Sequence, residues 1–150
     1  MELEKIINGD LKDAMLAKDR RKLEAIRAIK AALLLEKTGA DVSSVEIPEA
    51  VELKLLQKLV KQRRDSAKIY QEQGRQELAD EEEYQASIIE KYLPKQMSEE
   101  EIKAVVEKIV ADLGASTMKD MGRVMGEVSR QLAGKADNKV ISQIVKSLLG

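Results

Sequence analysis

The chain has 150 residues, 43% of them hydrophobic and 35% charged, with a formal net charge of −1; that suits one domain or two small ones and is too apolar for a disordered tail. It contains no cysteine and no histidine, which excludes disulfides, thiolate nucleophiles, Ser-His-Asp triads and the commonest metal ligands. With no Phe, no Trp and only three Tyr, the core must be built from Leu, Ile, Val, Ala and Met, a palette suited to closely spaced helices rather than to a β-sandwich.

Spacing and caps predict seven helices and no strand, hence an all-α protein. The first helix covers about 2–18, with Leu3, Ile6, Ile7, Leu11, Ala14 and Met15 on one side. The second starts near Asp19 and stops at Gly39. It is apolar almost all round (Leu23, Ile26, Ile29, Ala32, Leu33, Leu34, Leu35), as expected of a central helix. A Gly/Ser/Asp loop follows over 38–46, and Pro48 suits the first turn of a third helix that runs to about Gln73, with Gly74 as its stop. The fourth covers about 76–92, with Leu78, Ile88, Ile89 and Tyr92 facing in. Leu93-Pro94 ends it, because the residue before a proline is pushed out of the helical region. Ser98 and Glu101 form a capping box for a fifth helix closed by Gly114; Thr117 and Asp120 open a sixth, closed by Gly134; Asp137 caps a seventh. The break at 94–97 divides the chain into an N-terminal four-helix part, 1–96, and a small C-terminal three-helix bundle, 97–150.

No catalytic constellation emerges. There is no G-x-S-x-G elbow, and Gly134-Lys135 fails as a phosphate loop because Ser129 and Ala136 stand where Gly and Ser/Thr belong. The acidic runs Glu81–Glu83 and Glu99–Glu101 read as a solvated face and a helix first turn rather than a cation site. The expectation is a protein with no catalytic residue, no metal and no cofactor. The longest apolar run, Ala31 to Leu35, is far too short for a membrane span, and MELEKIINGD lacks the signature of a signal peptide. A cytoplasmic protein is expected.

The near-neutral total hides local charge. Residues 18–30 carry six basic and two acidic side chains, 51–70 again six and two, 71–94 two and seven, and 113–150 six and three. On the third helix Lys54, Lys58, Lys61 and Lys68 fall within about 80° of one another. Such a row can track a phosphate backbone, although Asp65 and Glu72 in the same stripe fit a salt-bridged, solvated face equally well. Arg63 projects into an apolar face, and Arg27 and Lys30 interrupt the central helix. Either these three pair with carboxylates of the acidic fourth helix or they bind a ligand. Toward the C-terminus Met118, Met121 and Met125 line one face beside Gly122 and Gly126, a pattern of tight helix packing or of a docking surface. Lys119, Arg123, Lys135 and Lys139 surround this hairpin, the last two flanking a helix N-terminus whose N–H groups suit an anion. Candidate nucleic-acid-binding residues are therefore Lys119, Arg123, Lys135, Lys139, Lys58, Lys61 and Arg64.

Several stretches in combination resemble the GatB/YqeY family. They are Lys61-Gln62-Arg63-Arg64-Asp65-Ser66; Gly74-Arg75-x-x-Leu78 leading to Tyr92-Leu93-Pro94-x-Gln96-Met97-Ser98-x-x-Glu101; Gly114-Ala115-Ser116-x-Met118-x-Asp120-Met121-Gly122-x-Val124-Met125-Gly126; and Gly134-Lys135-Ala136-Asp137-x-Lys139 with Ile144-Val145-Lys146. The resemblance covers essentially the whole chain. It implies a helical fold shared with the tail of the B subunit of the glutamine-dependent tRNA amidotransferase, a tail that contacts tRNA while the chemistry occurs elsewhere. The large catalytic domain that precedes that tail has no counterpart in this sequence, so any carbon–nitrogen ligase activity would reside in a partner. The resemblance thus implies a non-catalytic accessory module of tRNA metabolism whose partners are tRNA and an amidotransferase or aminoacyl-tRNA synthetase. The alternative is a helical adaptor that docks on such an enzyme.

Overall fold

The computed structural model describes residues 2–39 and 47–150. They form seven α-helices and one 3-10 turn, with no strand among the described residues. Most of the loop expected over 38–46 lies outside them. By contacts the chain divides into two compact units, Met1–Leu93 and Pro94–Gly150.

The first unit holds α1 (Glu2–Leu16), α2 (Arg20–Gly39), α3 (Glu49–Glu72) and α4 (Gln76–Glu90). Lys18 takes a left-handed conformation, φ 57°, and turns the chain between α1 and α2. Asp19 then caps α2, its Oδ1 accepting from the Lys22 N–H at 3.1 Å. Gly74, at φ 72°, ends α3, and the Arg75 N–H reaches back to the Tyr70 carbonyl at 2.8 Å. Helix α2 packs on α1, α3 and α4, as a central helix should. Its buried face is narrower than its composition suggests. Ala25, Ile26, Ile29 and Leu33 are buried, whereas Leu34 and Leu35 are 61% and 73% exposed. Ala67 of α3 and Ala79 and Ala86 of α4 are fully buried, small side chains that let these two helices close on each other. Leu78, expected to face in, is 40% exposed; Ala79 beside it takes the inward position. The Tyr92 hydroxyl donates to Asp10 and ties the end of the unit to α1. Burial, then Asp10, pushes the phenol well above its ordinary range.

The second unit holds α5 (Glu99–Leu113), a 3-10 turn (Met118–Asp120), α6 (Met121–Gln131) and α7 (Asn138–Leu149). Each start has a chemical reason. Ser98 and Glu101 form the full capping box, the Glu101 N–H donating to Ser98 Oγ and the Ser98 N–H to Glu101 Oε1. Gly114 closes α5 at φ 64°. Thr117 and Asp120 make a second box, closing a tight turn before α6, so the sixth helix begins three residues later than its spacing suggests. Val106, Val124, Val128, Ile141 and Val145 are fully buried at the centre. Residues 94–97 belong with this unit. The Gln96 side-chain amide donates to the Pro94 and Gly134 carbonyls at 2.8 and 2.7 Å, and the Met97 N–H donates to the Lys135 carbonyl at 2.9 Å. Much of the resemblance motif is therefore structural: Gln96 clasps the turn at Gly134, whose φ of 76° needs glycine.

Candidate nucleic-acid interface

In the first unit the acidic α4 neutralises cations of its neighbours. Arg21 of α2 donates from Nε to Glu81 at 3.0 Å and lies over the Tyr84 ring, 4.0 Å from its centroid. Arg64 donates from Nη1 to Glu90 at 2.5 Å, with Nε 3.7 Å from Glu83. The carboxylate partners anticipated for Arg27, Lys30 and Arg63 thus go to Arg21 and Arg64. Arg27 and Lys30 are exposed. Arg63 is half-buried and satisfied by neutral acceptors, Gln85 Oε1 at 3.1 Å and the Leu59 carbonyl at 3.4 Å. Of the third-helix candidates, Arg64 is held by two glutamates, while Lys58 and Lys61 are exposed on α3. Lys58 lines a groove between α2 and α3 together with Lys54.

In the second unit Lys119, Arg123, Lys135 and Lys139 are all exposed, but they do not form one cluster. Lys119 stands on the 3-10 turn, whose Met118 sulfur would lie 4.0 Å from a Cβ at Gly150; the turn therefore sits at the C-terminal end of α7. Lys135 and Lys139 stand at its N-terminal end. The twelve residues of α7 separate these ends by about 18 Å. Arg123 is paired with Asp120 at 3.1 Å, and the Asp120 carboxyl is held below its usual range by the Ser116 and Thr117 backbone N–H groups, with Arg123 adding to them. The anion site expected at the start of α7 is met from within: the Asp137 carboxylate accepts from the Lys139 N–H at 3.0 Å.

What joins the two ends is a residue that the sequence reasoning named only within the family motif and not among the binding candidates. Lys146 is exposed and seven residues from Lys139, hence on nearly the same face of α7 and about 10 Å along it. The i,i+7 spacing was the available signal. Helix α7 contains Lys139 and Lys146 and not one acidic residue. Elsewhere in the unit acids are grouped on α5 or held internally, as Glu127 is by Arg130 at 2.5 Å and Gln131 at 2.9 Å. Lys135, Lys139 and Lys146, with Lys119 at the far end, form no ion pair among the described residues. The result is a positive strip along one helix rather than a point charge.

The methionine–glycine face behaves differently from close helix packing. Met121 and Met125 lean on the core and Met118 is 46% exposed. Gly122 and Gly126 are exposed, and a Cβ at either would meet nothing within 4 Å. No helix of the unit uses their small size. Among the described residues no three carboxylates converge on a position for a metal ion, and no helix is long and apolar enough to cross a membrane.

Comparison with curated proteins gives relatives called "Altered inheritance of mitochondria protein 41, mitochondrial". That of Clavispora lusitaniae is 33% identical, the match covering 93% of this chain and 82% of the relative. That of Vanderwaltozyma polyspora is 35% identical over 77% of this chain and 64% of the relative. That of Pyrenophora tritici-repentis is 27% identical over 96% and 79%. The cytoplasmic expectation is corrected by these names, each of which is that of a mitochondrial protein. The family described as Yqey-like protein matches residues 4–149. With the helices, caps and clasp of the second unit built from the very residues that carry the resemblance, the chain belongs to the Yqey-like family.

Proposed function

We propose that the protein is a non-catalytic RNA-binding module of tRNA metabolism, and that its second unit lays the acid-free face of α7 along a ribose-phosphate backbone. The supporting observation is the pair Lys139 and Lys146 on α7, a helix that contains no acid, with Lys135 in the turn just before it, all three exposed and without ion pairs among the described residues. Lysines spaced along a helix neutralise successive phosphates and read shape, not base sequence. The resemblance to a tRNA-contacting amidotransferase tail points the same way, with any amide-forming chemistry left to a partner enzyme.

Filter binding of unfractionated tRNA across a salt series tests this reading. Affinity should fall steeply with salt. Lys139→Glu with Lys146→Glu should weaken binding roughly tenfold or more and flatten the salt slope by about one per lysine removed. Lys103→Glu with Lys108→Glu, on the acidic α5, should leave binding unchanged. Absence of tRNA binding at low salt, or equal loss in both variants, defeats the proposal.

A further inference from the structure

The groove between α2 and α3 has chemistry that an RNA surface does not need. It has a volume of about 440 Å³ and an aliphatic floor of Val51, Leu55 and Leu59, with the strongly exposed Leu35 at its lip. Lys54 and Lys58 stand one turn apart along one edge, and Glu36 of α2 stands on the other. In the same unit Lys37, Arg21 and Arg64 all meet carboxylates, whereas Lys54 and Lys58 form no ion pair among the described residues. The edge along α3 therefore keeps its positive charge. No tyrosine lines the groove, so a nucleic-acid base would find no ring to stack on.

We infer that this groove is a docking site for an amphipathic helix of another protein, one with an acidic edge. Residues of α3 from Val51 to Gln62 line it, a length of roughly 16 Å or three helical turns. An incoming helix would set apolar residues at i, i+3/i+4 and i+7 on the aliphatic floor. Its carboxylates would face Lys54 and Lys58, and a neutral or basic flank would face Glu36, so charge fixes its orientation as well as its affinity.

Two fluorescein-labelled peptides of about 16 residues, sharing one leucine stripe and differing only in glutamates or lysines along one flank, provide the probe. Fluorescence anisotropy with the full chain should show the glutamate peptide binding roughly tenfold tighter. Lys54→Glu with Lys58→Glu should reverse that preference, a gain of lysine-peptide binding that a misfolded variant would not show. Leu35→Asp should weaken both peptides. Equal binding of the two peptides by the native chain, or binding of neither, overturns the inference. So does displacement of the peptide by tRNA together with loss of tRNA binding in the Lys54/Lys58 variant. Because the strip on α7 is untouched in these variants, failure here and failure of tRNA binding are read separately.

Discussion

Glu52 is buried in the first turn of α3, and its Oε2 has no hydrogen-bond donor among the described residues. Desolvation, then the negative charges of Glu49 and Glu4, push its carboxyl above the ordinary value of 4.5. A carboxyl raised by folding contributes most to stability when it is protonated in both states, below the unfolded value, and that contribution is lost as pH rises through the folded value. Neutral solution is therefore where Glu52 harms the fold. Glu52→Gln should stabilise the chain by about 1 kcal/mol at pH 7, with the difference closing as pH falls through the raised native value, where the folded carboxyl takes up its proton, and gone below the ordinary 4.5. Urea titrations of both proteins at two pH values check this. A loss of stability at pH 7 would show that the carboxylate has a partner whose attraction outweighs its desolvation.

At the level of elements, the stretch Pro94–Ser98 acts as a clasp rather than a linker. Gln96 supplies donors to two backbone carbonyls at once, one of them at the Gly134 turn between α6 and α7. Gln96→Ala leaves both acceptors to water or unmet, and should destabilise the second unit by about 1–2 kcal/mol. Thermal unfolding followed by circular dichroism measures it; an unchanged midpoint would mean the clasp is redundant with the Met97–Lys135 bond. The helices themselves were legible because their ends are local chemistry: Ser98 with Glu101, Gly74, Gly114 and Asp137 act on backbone groups within four residues. The exposure of Leu34, Leu35 and Leu78 was not legible. Periodicity says which residues share a face and not whether a neighbour covers it. For the same reason the partners of Arg21 and Arg64 followed only from where α4 lies, and the family motif announced Gln96 without saying what it holds. Of the candidate site, the lysines were legible as charges, but their division between the two ends of α7 needed the packing of the 3-10 turn.

At the scale of the whole chain, each unit has a hydrophobic cluster of its own, Ile26, Ile29, Leu56 and Ile89 among others in the first, Val106, Val124, Ile141 and Val145 in the second. A unit as small as Pro94–Gly150 lies near the size at which one core can just offset chain entropy. It has unusual local help, with two capping boxes, the Asp137 cap and glycines at its left-handed turns. Residues 94–150 expressed alone should therefore be helical and melt in one cooperative transition, at a lower temperature than larger domains reach. If α7 carries RNA binding, this fragment should also keep tRNA affinity within about threefold of the full chain at equal salt, while residues 1–93 alone should bind the acidic helical peptide and not tRNA. The two fragments separate electrostatic recognition from apolar docking, since salt should weaken the first steeply and leave the aliphatic share of the second almost untouched. A helical, cooperatively folded 94–150 fragment without tRNA affinity would place RNA binding elsewhere, because neither fold nor local charge would then be missing.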